Sequence, residues 1–163
     1  MPEHHNVLFL CAGNSARSIL AEAILNQKGH PTFTAYSAGS FPKGAVHPMA
    51  LTQLESSYLL TQGLRNKSWD EFAKPGAPKM DFIFTVGDNA AREVCPIWPG
   101  HPITAHWGVP DPAAVRGTLV EMERAFRDTF IILGRRISLF LSLPIASLDK
   151  MAIKNEVDRI GLQ

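Results

Sequence analysis

Asn6-Val-Leu-Phe-Leu-Cys-Ala-Gly-Asn-Ser-Ala-Arg-Ser-Ile-Leu-Ala-Glu-Ala-Ile-Leu25 joins an apolar run, a short polar turn and an amphipathic run. The apolar run over 6–10 predicts a strand that is covered on both faces, as strands of parallel sheets are. The periodic run predicts a helix over 15–28, which Gly29 and Pro31 end. A strand that passes through a tight loop into a helix is typical of parallel α/β folds.

The rest of the chain repeats this alternation of apolar and helix-periodic segments. Further strands are predicted over 33–37, 81–86 and 103–107, and further helices over 48–60, 68–72 and 118–143. Strands joined by helices predict an α/β fold of three layers, a four-stranded parallel sheet flanked by helices. We expect a catalytic domain over 1–143, with residues 144–163 as a C-terminal helical extension packed on the same domain.

The composition narrows the classes of function. The chain has 163 residues and a net charge of +1 with no long block of either sign, so no nucleic-acid surface is expected. Its apolar runs are too short to span a bilayer, and its polar N-terminus predicts no secretory signal. Cys11 and Cys95 lie too far apart in sequence to suggest a disulfide framework. We therefore expect a cytoplasmic protein, as a monomer or weak dimer.

The turn between the first strand and the first helix has the features of an oxyanion site. Successive backbone N–H groups can surround one tetrahedral anion, and the helix N-terminus adds partial positive charge. Arg17 can donate two parallel hydrogen bonds, while Cys11 would lie beneath the anion as a thiolate suited to attack phosphorus or arsenic. The alternative is a buried structural cysteine and a solvent-facing arginine. The predicted oxyanion-binding residues are Cys11, Ala12, Gly13, Asn14, Ser15, Ala16 and Arg17.

Asp111 is the predicted general acid. It stands in Val109-Pro110-Asp111-Pro112, where two prolines restrict the backbone around one carboxylate. Expelling an oxygen from the oxyanion needs a proton donor opposite the nucleophile. The alternative is a turn-forming aspartate bonded to its own backbone.

Other polar residues are candidates for supporting roles. Ser18 could donate a hydrogen bond to the Cys11 thiolate, or be an ordinary serine of the first helical turn. Asn14 and Ser37 could link the loop to the second strand, or make only local turn bonds. Cys95 could be a second redox thiol, although without a Cys-x-x-Cys spacing the sequence favours a small buried apolar residue.

Four segments together resemble the low-molecular-weight phosphotyrosine phosphatase superfamily, in particular its thioredoxin-coupled arsenate reductase branch. They are NVLFLCAGNSARSILAEAIL, YSAGSFPKGAVHPMAL, DFIFTVGDNAAREVCPIWPG and AHWGVPDPA, and the similarity covers about residues 6–142. The resemblance implies a four-stranded parallel sheet, with Cys11 as nucleophile, Arg17 as anion clamp and Asp111 as general acid. Asn14 and Ser18 would support the loop.

The resemblance also bears on metals and cofactors. We expect no metal and no tightly bound cofactor, although analogy with some reductases of this branch suggests a monovalent cation. The candidate ligands of that cation are Asn14, Glu22 and Ser37. Glu22 has a simpler alternative as an exposed helix residue.

One departure from the branch concerns its redox relay. In the thioredoxin-coupled reductases the nucleophile takes up arsenate, a second thiol attacks it and releases arsenite, and a third moves the disulfide outward. The third thiol corresponds to Cys95, but the second falls at Gly87. Three outcomes stay open: Cys95 reaches Cys11 directly; an external thiol from thioredoxin, glutaredoxin, glutathione or mycothiol attacks the Cys11–arsenate adduct; or Gly87 is an engineered or decayed position in a protein that no longer turns over arsenate.

A second departure concerns the substrate. Phosphotyrosine enzymes of the superfamily generally carry an aromatic residue soon after Asp-Pro, whereas Ala113 and Ala114 follow here. Without that aromatic residue, a stacking contact of about 1 kcal/mol with a substrate ring is lost, which favours a small anion such as arsenate or phosphate as substrate. We therefore predict an arsenate reductase. The alternatives are a phosphatase that uses the same residues through a phosphocysteine, and a non-catalytic oxyanion-binding relative.

Overall fold

The computed structural model describes residues 3–87 and 98–163 of the chain. The strands are β1 (His5–Cys11), β2 (Phe33–Gly39), β3 (Phe82–Thr85) and β4 (Ile103–His106). The helices are α1 (Arg17–Gly29), α2 (Pro48–Ser56), α3 (Asp70–Ala73), α4 (Leu119–Leu141) and α5 (Lys150–Ile160). Two 3-10 turns cover Pro112–Ala114 and Ile145–Ser147.

The four strands form one parallel sheet in the order β2-β1-β3-β4. Strand β1 therefore lies inside the sheet, and its residues 7–11 are buried. Cys11, its last residue, pairs with Gly39 of β2, while Leu10 pairs with Thr85 of β3. The carboxyl ends of three strands thus meet at one edge, which is where ligands bind in open α/β sheets.

Alternate residues of β1 point to opposite faces of the sheet, and each face has its own core. Val7 and Phe9 pack with α1, α2, α4 and α5, and Leu8 and Leu10 pack with Trp69 and the short helix α3. The three-layer α/β fold predicted from the sequence is confirmed.

Several predicted helix boundaries are wrong: α3 begins at Asp70 and not at residue 68, and α4 ends at Leu141 and not at residue 143. Two others are wrong for identifiable reasons. Helix α2 ends at Ser56 and not at Leu60, because Tyr58 adopts the left-handed backbone conformation with φ of 63°. Helix α1 begins at Arg17 and not at Ser15, because the residues before Arg17 form the turn that leaves β1.

The last segment of the chain packs on the sheet. Asp149 caps α5 through a 2.8 Å bond from the Ala152 N–H, and Trp107 at the end of β4 donates its indole N–H to the Val157 carbonyl at 2.9 Å. Buried Arg136 of α4 donates to the carbonyls of Trp107 and Gln163. The division of the chain at residue 143 stays a prediction.

Within residues 3–87 and 98–163, no helix combines the length and the apolar character needed to cross a bilayer.

Candidate active site

The turn after β1 has its carbonyl groups directed outward. The carbonyl oxygens accept hydrogen bonds as follows: Ala12 from the Phe41 N–H, Gly13 from the Lys43 N–H, Ser15 from the His47 N–H, Ala16 from the Leu20 N–H, and both Gly13 and Asn14 from the Asn66 side-chain amide. In a trans peptide the following N–H points the opposite way. The N–H groups of residues 13–17 therefore point away from these partners, which is compatible with an anion-binding nest.

Cys11 is the beginning of a chain of buried hydrogen bonds. Its sulfur lies 3.0 Å from Ser18 Oγ, and its thiol is free. The side-chain amide of Asn14 donates to Ser18 Oγ at 2.8 Å and to Ser37 Oγ at 3.0 Å. Asn14, Ser18 and Ser37 are fully buried, and Asn14 has a left-handed φ of 46°. The structure thus brings together the supporting residues predicted from the sequence, by tertiary bonds and not by local turn bonds alone.

Arg17 reaches across to the loop that follows β4. Its Nη1 donates to the Val109 carbonyl at 3.0 Å, and its Nη2 lies 3.8 Å from Asp111 Oδ2. Oδ1 of Asp111 accepts the Ala113 N–H at 3.0 Å. The turn bond predicted as the alternative is present, and it uses one carboxylate oxygen and leaves the other facing Arg17. The role of Asp111 as general acid stays a prediction. The side chain of Asp111 is 31% exposed and that of Arg17 is 13% exposed, so an anion and a proton can reach this side.

Gly87 lies directly against the nucleophile. A Cβ built on Gly87 would stand 3.0 Å from Cys11 Cβ and 3.1 Å from Arg17 Cζ. A side chain at this position would therefore touch both groups, and here it is absent. Cys95 lies outside the described residues, so its distance from Cys11 is not part of the described geometry.

A second pair of charges lies behind the loop. Ser37 donates its hydroxyl to Glu22 Oε1 at 2.5 Å, and the ammonium of Lys67 lies 3.8 Å from the same oxygen. Burial raises the pKa of Glu22, an effect that the Ser37 hydrogen bond and the Lys67 charge oppose. Burial lowers the pKa of Lys67, and Glu22 opposes that effect.

Sequence reasoning missed Asn66 and Lys67, which lie far along the chain from the loop they support. The Lys67 backbone N–H donates to Asn14 Oδ1 at 2.9 Å, and its side chain is 6% exposed. A parallel bridge between Gly39 and Ser68 brings this segment beside β2. The only local signal was a cluster of polar residues, Arg65-Asn-Lys-Ser68, directly before the buried Trp69.

The predicted monovalent-cation ligands Asn14, Glu22 and Ser37 do come together, with the Lys67 ammonium among them. Glu22 is not an exposed helix residue, since only 13% of its side chain is accessible. In the part of the chain that the structure describes, no three His, Cys, Asp or Glu side chains are grouped to hold a metal ion.

Comparisons with known proteins agree with this geometry. Residues 6–152 match the family model described as low molecular weight phosphotyrosine protein phosphatase. A protein named arsenate reductase from Oceanobacillus iheyensis is 33% identical over 135 residues, which is 82% of this chain and 93% of that protein. The resemblance predicted from the sequence motifs is confirmed.

Two solved structures show the same fold. A low molecular weight protein tyrosine phosphatase from T. tengcongensis superposes with a TM-score of 0.66 at 24% identity, over 82% of this chain and 95% of that chain. A thioredoxin-dependent arsenate reductase from Corynebacterium glutamicum superposes with a TM-score of 0.56 at 23% identity. That match covers 84% of this chain and 63% of the Corynebacterium chain, so this chain spans less than two thirds of that protein.

Proposed function

Because the chain belongs to the low molecular weight phosphotyrosine protein phosphatase family, we propose that it is an arsenate reductase with Cys11 as nucleophile. The observation that supports the proposal is the bonding of the loop carbonyls to Phe41, Lys43, His47, Leu20 and Asn66, which turns the N–H groups of residues 13–17 away from those partners and leaves them for one anion beside Cys11. The relative that is 33% identical and named arsenate reductase supports the choice of arsenic over phosphorus.

The first half of the reaction uses this chain alone. Arsenate enters the loop, and Arg17 turns its guanidinium from Asp111 to two arsenate oxygens. The Cys11 thiolate, which accepts a hydrogen bond from Ser18, attacks arsenic and forms an S–As bond. One As–O bond breaks, and Asp111 Oδ2 gives the departing oxygen its proton, so that it leaves as water. The inward N–H groups stabilise the charge on the remaining oxygens.

The second half requires a thiol from outside the active site. A thiolate attacks Cys11 Sγ, an S–S bond forms, the S–As bond breaks, and its electron pair reduces arsenic from As(V) to As(III), which leaves as arsenite. A second thiol then reduces the mixed disulfide. We assign the first thiol to an external reductant because position 87, which touches Cys11, has no side chain. Such thiols are abundant in a reducing compartment, and we therefore place the protein in the cytoplasm.

The experiment measures arsenate-dependent NADPH oxidation with thioredoxin, glutathione–glutaredoxin and mycothiol systems in turn. We expect turnover with one of the three systems and none in Cys11→Ser. Asp111→Asn should lower kcat by about 10²- to 10⁴-fold, because the amide has no proton to donate. Cys95→Ser should leave the rate with the external thiol unchanged, and a loss of turnover in this variant would assign the resolving step to Cys95. Absence of arsenate-dependent oxidation with all three systems would refute the proposal.

A phosphatase acting through a phosphocysteine is the second candidate, and Phe41 favours it. The Phe41 N–H donates to the loop carbonyl of Ala12, and Phe41 is 73% exposed. The backbone of Phe41 therefore lies against the loop, just after β2, and its exposed aromatic side chain could pack on a substrate ring in place of the residue missing after Asp-Pro. Hydrolysis of p-nitrophenyl phosphate without arsenate reduction, with a higher KM in Phe41→Ala, would establish this function. Phosphate binding with neither activity would indicate the non-catalytic oxyanion-binding relative.

A further inference from the structure

We propose that the Lys67 ammonium is the resident cation of this active site, that it takes the place of a monovalent metal ion behind the loop, and that Lys67 is a positioning residue for Cys11. The inference rests on oxyanion binding by the loop under the proposed function, and it is independent of whether arsenic or phosphorus is attacked.

The surroundings of the ammonium match the ligand set of a hard cation. The Lys67 Nζ lies 2.7 Å from the Arg65 carbonyl oxygen, 3.4 Å from Ser37 Oγ and 3.8 Å from Glu22 Oε1. A carbonyl, a hydroxyl and a carboxylate are the oxygen ligands that hard cations take in proteins. An ammonium has three donors for these three acceptors.

A metal ion does not fit beside the ammonium. The side chains of Lys67 and Glu22 are 6% and 13% exposed, so the space is closed to bulk water. Two unit positive charges about 4 Å apart repel by about 4 kcal/mol at the effective dielectric of about 20 that suits protein sites. Because Glu22 supplies one negative charge and Lys67 already balances it, a second cation would remain uncompensated.

The ammonium is connected to the nucleophile by a chain of hydrogen bonds, in which Ser18 is the donor when Cys11 is a thiolate. Ser37 gives its one proton to Glu22, so its oxygen can only accept, and the Asn14 amide donates to it. The same amide donates to Ser18 Oγ, which leaves the Ser18 proton for the Cys11 sulfur. The network therefore presents a donor to the thiolate, which stabilises the reactive form of Cys11.

Lys67 contacts this network through both its backbone and its side chain. Its backbone N–H bonds to Asn14 Oδ1 at 2.9 Å, which determines which way the amide faces. Burial raises the pKa of Glu22, and the Lys67 ammonium opposes that rise and so favours the charged carboxylate. A protonated Glu22 would compete for the Ser37 oxygen and weaken the alignment of Asn14.

The first test uses the unaltered protein. The thermal midpoint and the Kd for inorganic phosphate are measured in choline, sodium and potassium chloride at about 0.15 M ionic strength. We expect the same values in all three salts. A rise in Tm of more than about 2 °C that is specific to K⁺, or tighter phosphate binding in K⁺, would show that a metal ion binds and would overturn the inference.

The second test removes the ammonium with Lys67→Met. In choline chloride the variant should have a lower Tm, weaker phosphate binding and slower alkylation of Cys11 by iodoacetamide. Potassium should restore part of each, because the vacated oxygens can then bind the ion. Lys154→Met is the matched control, since exposed Lys154 also bonds to a carbonyl and a carboxylate, and it should behave as the unaltered protein.

Two outcomes of the second test decide against the proposal. A lower Tm with unchanged phosphate Kd and alkylation rate would show a purely structural lysine. No response of Lys67→Met to K⁺ would show that the position does not hold a cation. If the variant does not fold, the salt exchange on the unaltered protein still decides. If phosphate binding is independent of the salt while arsenate is not reduced, the inference stands and the proposed function fails.

Discussion

Two ion pairs are linked to the loop that begins at Cys11, and both have the same N–O separation of 3.8 Å. The rear pair is Glu22 with Lys67, and the front pair is Arg17 with Asp111. They differ in burial, because the rear side chains are 13% and 6% exposed while Asp111 in front is 31% exposed. They also differ in the further hydrogen bonds that their side chains make.

The rear pair is enclosed by further bonds, whereas the front pair is free to part. Lys67 and Glu22 share Ser37 and are linked through Asn14 to the loop. Arg17 has five N–H donors, and its bond to the Val109 carbonyl leaves the others for an incoming anion. Under the proposed function, we expect the rear pair to maintain the loop and the front pair to open when the anion binds, although the two N–O distances are equal.

The largest expected effect comes from breaking the rear pair. Lys67→Met should cost about 3–5 kcal/mol of the free energy of unfolding in a choline buffer, because a buried carboxylate loses its partner. The double variant Glu22→Gln/Lys67→Met should recover most of that loss, since no unpaired charge remains. Urea unfolding of the two single variants and the double variant measures this, and additive losses would contradict the pairing.

Breaking the front pair should affect binding and not stability. Arg17→Lys keeps the charge but loses the two-pronged geometry, so kcat/KM should fall by about 100-fold, or roughly 2.7 kcal/mol. The free energy of unfolding should change by less than about 1 kcal/mol, as expected for a partly exposed pair. Steady-state kinetics and urea unfolding of the same preparation check both parts. A large loss of stability with intact kinetics would show that the two pairs have been assigned the wrong roles.

The contact between β2 and the loop should be sensitive to one methyl group. A Cβ on Gly39 would stand 2.5 Å from the Ala12 carbonyl oxygen, so Gly39→Ala should cost about 1–3 kcal/mol and weaken phosphate binding. Gly134→Ala is the control, because its Cβ meets nothing within 4 Å, and in helix α4 it should stabilise by about 0.5–1 kcal/mol. Thermal unfolding and phosphate titration measure the difference. Equal effects at the two glycines would mean that the close approach at the loop is unimportant.

The smallest effect should come from a shorter but exposed pair. Arg65 donates to Glu71 at 2.9 and 2.6 Å, yet these side chains are 59% and 37% exposed. Glu71→Gln should change the free energy of unfolding by about 0.5 kcal/mol, because water screens an exposed pair. If this variant cost as much as Lys67→Met, burial would not be what separates the pairs.

Much of the fold and the front of the site could be predicted from residues close together in the sequence. The apolar strand, the turn and the following helix are local patterns, and Cys11, Ser18 and Arg17 lie within one such stretch. The wrong boundaries at the start of α1 and the end of α2 have local causes that composition does not reveal, such as the left-handed backbone at Tyr58. The prolines around Asp111 predicted a restricted carboxylate, but only the tertiary structure shows that this carboxylate lies 3.8 Å from the Arg17 guanidinium.

By itself, the sequence determined that a tight turn begins at Cys11 between a buried strand and a helix, because hydrophobic periodicity and turn length act over neighbouring residues. Only the tertiary structure decided which cation lies behind that loop. The pairing of Cys11 with Gly39, and the bridge from Gly39 to Ser68, bring Lys67 to Glu22 and Asn14 from a distant part of the chain. Contacts of that kind depend on strand register and on burial, which set the distances and the dielectric around a charge and leave no periodic pattern along the chain.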